Sequence, residues 1–97
     1  MPAIICQAVG CCNPRQSSQF MCKPHWFALP RPLRTAINTG WRDYNKADSE
    51  RRSQAWLDYI VARDEARRWT AEGEGKLAQF EPDAPRVRAL HERRATL

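Results

Sequence analysis

The side chains best suited to chemistry sit in the first quarter of the chain. They are Cys6, Cys11, Cys12 and Cys22, with His25 three positions after the last cysteine. Written out, the pattern is C-x4-C-C-x9-C-x2-H, with Pro24 inside the final pair. Thiolate sulfur and imidazole nitrogen are the donors of closed tetrahedral zinc sites, so a Cys3His shell around one structural Zn2+ is expected. The short C-x2-H pair puts two donors on one side of a tight turn or first helical turn, which chelation requires. Cys6, Cys11, Cys22 and His25 are the preferred ligands, because Gly10 before Cys11 lets the backbone bend toward a metal without a Cβ penalty. Cys12 is the alternative second thiolate. Buried free thiols, or a disulfide formed on oxidation, are the competing structural explanations. A disulfide framework belongs to secreted chains.

The elements that must position these residues belong to a small protein. Ninety-seven residues allow one domain. A chain of that length buries only about 60–68% of its unfolded surface, so it gains from a staple. The composition, 42% hydrophobic and 28% charged, is that of a soluble globular chain. No run approaches the roughly 20 apolar residues of a membrane span. The opening Met-Pro-Ala-Ile-Ile-Cys lacks the basic and apolar regions of a signal peptide, so a cytoplasmic location and no membrane partner are expected.

The stretch Phe20-Met-Cys-Lys-Pro-His-Trp-Phe-Ala-Leu-Pro-Arg-Pro-Leu-Arg34, with Cys6 and Gly10-Cys11 upstream, resembles a group of small proteins of tailed bacteriophages and prophages. Those proteins carry a C-x4-C loop, then M-C-x2-H-W-F-x-L-P and a basic helix ending in an aromatic residue. The likeness covers about residues 6–44, and Met21, Cys22, His25, Trp26, Phe27, Leu29, Pro30, Leu33 and Arg34 fit it. It implies phage origin and zinc held by Cys6, Cys11, Cys22 and His25, but no reaction. Cys12 departs from the pattern.

The expected fold is mainly α: an N-terminal zinc-stapled loop, an antiparallel helical hairpin and a short C-terminal helix. Residues 1–29 form the loop, with Phe20, Trp26 and Phe27 keeping the metal dry. Pro30 or Pro32 opens a helix whose Leu33, Ile37, Trp41 and Tyr44 make a one-face stripe. Asp48 or Ser49 caps a second helix reaching about Ala71, where Gly73 and Gly75 stop it. Trp56, Tyr59, Ile60, Ala66 and Trp69 form its apolar side. Asp64 and Glu65 are placed on its solvent face, pairing with Arg68. Residues 30–72 thus make the hairpin. Residues 73–97 make a linker, in which Leu77 and Phe80 can dock, and a marginal helix that Asp83 caps and Pro85 opens.

Charge is uneven along this plan. Residues 1–47 hold Arg15, Lys23, Arg31, Arg34, Arg42 and Lys46 against Asp43 alone, so the net charge of +5 resides in the zinc half. Arg is the type suited to bidentate pairing with carboxylate or phosphate. Arg31, Arg34, Arg42, Lys23 and Arg15 are therefore the candidate partner-binding residues. A protein partner is the first expectation, with inhibition by occupancy as one form, and nucleic-acid phosphates the alternative. Catalysis is not expected. A closed zinc shell has no open position, Cys12 has no evident base beyond His25 and the distant His91, and no phosphate-binding glycine loop or small-molecule site is evident.

Overall fold

A computed structural model describes residues 4–16 and 19–96. Parts of the expected zinc loop, residues 1–3 and 17–18, lie outside the described residues. Among the described residues four α-helices follow one another: α1 (Lys23–Ala28), α2 (Arg31–Lys46), α3 (Arg52–Gly73) and α4 (Ala84–Thr96), with a 3-10 turn at Leu77–Gln79. The only β pairing among the described residues is a single antiparallel bridge between Ile5 and Pro14. No helix among them is long and apolar enough to cross a membrane.

Prolines punctuate the start. Pro24 lies in the first turn of α1, and Pro30 and Pro32 set the entry to α2, where a missing N–H costs nothing. Leu29, between the two helices, is 2% exposed and anchors the corner. α2 and α3 form the expected hairpin. They pass closely at Gly40: a Cβ there would sit 3.2 Å from the Tyr59 Cα, so a larger residue would need the two backbones to separate by a few tenths of an ångström. Asp48 works one turn ahead of α3 rather than as its cap, accepting the Arg51 N–H at 3.0 Å.

α3 ends in a Schellman turn. Gly75 takes φ +71°, the Lys76 N–H donates to the Ala71 carbonyl at 2.7 Å, and the Gly75 N–H donates to that of Glu72 at 3.2 Å. This stop is the one expected from the glycines. The segment after it is not a free linker, because Glu74 and Lys76 both turn back onto the N-terminal loop.

One contiguous core joins that loop to the hairpin: Cys6, Phe20, Met21, Cys22 and Leu29 pack with Ile37, Leu57, Tyr59, Ile60 and Ala66. Three expectations need correction. Trp41 and Trp69 are 47% and 43% exposed, not core residues. Trp41 instead forms one edge of an aromatic cluster with Tyr44, Trp56 and Tyr59, at centroid separations of 5.2–5.8 Å. Such pairs are worth about 0.5–1.5 kcal/mol each beyond their buried area.

The second correction is Phe27, which faces solvent at 65% exposure, leaving Phe20 and Trp26 as the ring pair of the loop. The third is Asp64. It is buried, and its carboxylate accepts the backbone N–H groups of Asp83 and Ala84 at 3.0 and 2.8 Å. A residue of α3 thereby caps α4, satisfying donors that a helix start leaves orphaned. Arg67 completes the joint, reaching Asp64, Asp83 and the Glu81 carbonyl while its guanidinium lies over Phe80. Asp64→Ala leaves those buried donors unpaired. It is expected to cost about 2–4 kcal/mol in urea unfolding and to expose residues 81–96 to protease, with Asp64→Asn intermediate.

Candidate metal centre

Backbone hydrogen bonds first bring the donors near one another. The Cys6 N–H donates to the Asn13 carbonyl at 2.9 Å and the Gln7 N–H to that of Phe20 at 3.0 Å, so the loop doubles back beside Cys22. The Cys11 N–H closes a turn on the Ala8 carbonyl at 3.1 Å, with Gly10 at its third position and φ +74°. That left-handed position is open to glycine at no steric cost. Cys22 then stands at the N-cap position of α1, and His25, three residues on, brings its ring to the same thiol.

The result is a cluster of four side chains. The Sγ atoms of Cys6, Cys11 and Cys22 and a ring nitrogen of His25 all lie within 4.8 Å of one another. His25 Nδ1 is 3.5 Å from Cys6 Sγ and 3.1 Å from Cys22 Sγ. A tetrahedral ion with metal–sulfur bonds of about 2.3 Å and metal–nitrogen bonds of about 2.1 Å separates its donors by roughly 3.5–3.8 Å. Side-chain adjustments on the order of an ångström therefore close the shell. All four cysteines are free thiols, so the donor set fits a metal ion, and these four residues are positioned to hold one. Cys12 is exposed and outside the cluster.

The electrostatics suit ionised ligands unequally. Burial pushes the Cys6 thiol up to about 11, against a hydrogen bond from the Ala8 N–H at 3.4 Å. Burial also opposes ionisation of Cys22, but the His25 backbone N–H and ring, Cys6 and Asn13 together bring it down to about 7. Metal uptake must displace the remaining thiol protons, so affinity falls as pH drops.

The other side of His25 holds a residue that sequence reasoning missed. Its Nε2 lies 3.1 Å from the Glu74 carboxylate, just past the end of α3. With Nδ1 facing the thiols, Nε2 carries the proton and donates to Glu74, the arrangement that fixes tautomer and ring orientation in metal-bound histidines. Burial works against a charge on His25, but the Glu74 carboxylate and the Cys22 thiol outweigh it and raise its pKa. Glu74 is held below the usual carboxylate range by the His25 ring. The pair is forty-nine positions apart in sequence and meets where α3 ends. Lys76 Nζ reaches the Val9 carbonyl at 3.5 Å and Arg67 Nε the Gln7 carbonyl at 3.1 Å. Three side chains of α3 and its cap thus grip the metal loop.

The candidate partner residues do not converge on one spot. Lys23, Arg31 and Arg42 are exposed, Arg42 beside Asp43 at 4.0 Å. Arg34 is half-buried, its Nε enclosed with no partner among the described residues. Arg15 is partly a structural residue, its guanidinium donating to the Ile5, Gln16 and Gln19 carbonyls. His91 borders a groove with Tyr44, Arg52 and Trp56 and has no cysteine beside it there.

Elemental analysis of the purified chain is expected to give one metal ion per chain. Cys11→Ser should lose it and Cys12→Ser should keep it. Glu74→Ala is expected to weaken metal affinity about 10–100-fold in a chelator competition, with Glu74→Gln, which still accepts from Nε2, retaining most of it. No protein-family model, curated protein or solved structure matches the chain, so the case for the centre rests on the geometry of its own side chains.

Proposed function

We propose that the chain is a zinc protein whose ion is structural, and that it acts by binding a protein partner rather than by catalysis. The observation that carries this reading is the closed donor set. Cys6, Cys11, Cys22 and His25 supply four protein donors at one point, and three thiolates with one imidazole suit zinc. A four-coordinate shell of that kind leaves no position for substrate or water, and its free energy goes into folding.

The zinc half also carries the excess positive charge, and Arg with Trp are the residue types that anchor protein interfaces. The resemblance of residues 6–44 to small phage proteins directs the search to bacterial or phage proteins, with inhibition by occupancy as the mechanism. The basic surface also supports a second reading, a nucleic-acid accessory protein contacting phosphates, whose affinity would fall steeply with salt.

Tagged, zinc-loaded protein is expected to retain a stoichiometric protein from nuclease-treated bacterial lysate, and to lose it after chelation. Retention that disappears with nuclease treatment supports the nucleic-acid reading instead.

A further inference from the structure

The two sides of the α2–α3 hairpin differ in charge. One groove, lined by Thr35, Ala36, Gly40 and Val61, carries Asp43, Asp58 and Glu65 against Arg31. A second, of about 610 Å³, lies where the metal loop meets the hairpin and has no acidic residue in its lining. Its walls include Phe20, Trp26, Trp41, Trp56 and Tyr59. Its cations are Arg15 and Arg63, neither of which has a carboxylate within ion-pair range among the described residues.

Arg63 is the telling residue. Its guanidinium lies 5.6 Å from the Phe20 ring centre and 5.7 Å from that of Tyr59, which holds it in place without neutralising it. Its Nε is enclosed and has no hydrogen-bond partner among the described residues. Arg15 spends its donors on neutral carbonyls, so its charge is also uncompensated. Asn38 and Gln19 add amide donors and acceptors at the same groove.

We infer that this groove, between the metal loop and the hairpin, is the partner site, and that it takes an acidic peptide segment bearing an apolar anchor residue. The anchor fills the aromatic walls, and flanking carboxylates pair with Arg63 and Arg15. The inference rests on the protein-binding reading above and gives it an address. Ring geometry suits an apolar side chain better than a run of stacked bases. Trp41 stacks on Tyr44 with 30° between planes, while Trp41 and Trp56 each meet the Tyr59 ring, at 48° and 45°. Rings tilted against one another make an angled wall that receives an apolar side chain, whereas a run of bases stacks on parallel faces. Trp, Tyr and Arg in a concave, partly desolvated site are the composition of an interface hot spot.

The test is panning of a random dodecapeptide display library on the intact zinc-loaded protein, followed by titration of the selected peptides using the fluorescence of the groove tryptophans. Peptides enriched in Asp and Glu around an aromatic or aliphatic residue are expected. Asn38→Glu places a negative charge at an exposed position of α2 on the groove and should weaken binding about tenfold or more. Asn38→Arg should preserve or strengthen it, Arg63→Gln should weaken it, and Arg88→Gln on α4 should leave it unchanged. Metal content and melting temperature of each variant report whether the fold is intact. Peptides that bind equally well to Asn38→Glu and Arg63→Gln overturn the groove assignment while leaving the protein-binding reading standing. Enrichment of no peptide, or of non-acidic ones, also overturns the assignment. Tight binding of a 20-nucleotide oligothymidylate, lost in Asn38→Glu, overturns both.

Discussion

The N-terminal loop has little backbone structure of its own, and everything around it depends on how it is closed. Among the described residues, 4–16 and 19–22 are joined by one β-bridge and a few backbone bonds across the loop, with no regular element to repay the conformational entropy of ordering them. Closure falls to side chains: three sulfurs and one imidazole at a point. Because the same loop supplies Cys6, Phe20, Met21 and Cys22 to the common core, its closure also decides whether the hairpin has anything to pack against on that side. A metal ion bound by those four donors would do work there that a larger core does in a longer chain.

The grip of α3 turns that local staple into a global one. Glu74 on His25, Lys76 on Val9 and Arg67 on Gln7 all come from one helix and the turn that ends it. Arg67 also holds the approach to α4 through Asp83 and Asp64. The metal loop and the approach to α4, far apart in sequence, are thus tied to the same stretch of α3.

Periodic features were readable from the residues alone. The Leu33–Ile37 stripe, the prolines before α2 and the glycines after α3 act through local rules, and the helices lie close to where those rules put them. The convergence of cysteines with His25 was legible because chelation demands close spacing. Glu74 and Asp64 were not legible. Both act on residues nineteen or more positions away, and each reads locally as an ordinary surface acid. The weak hint at Glu74 was its place between Gly73 and Gly75, a turn that could redirect a side chain. Trp41 and Trp69 were misplaced for a related reason: a helical stripe specifies a face, but not how far the partner helix covers it. Gly40 draws α3 close to α2, and the indole of the next residue is left half outside.

The metal centre and the aromatic groove are parts of one device. Phe20 lies two residues before Cys22, and Trp26 follows His25 directly. The two rings meet edge to face at 6.2 Å between centroids. Both line the groove, and Phe20 also supports the Arg63 guanidinium. Opening the loop would therefore withdraw one wall of the groove and the ring that orients its central cation. The other wall, Trp41, Trp56 and Tyr59, belongs to the hairpin and would stay. Binding energy at such a site depends on preorganisation more than on area. A metal ion held by Cys6, Cys11, Cys22 and His25 would act on the proposed groove without touching its ligand, by keeping two aromatic rings and one arginine in place.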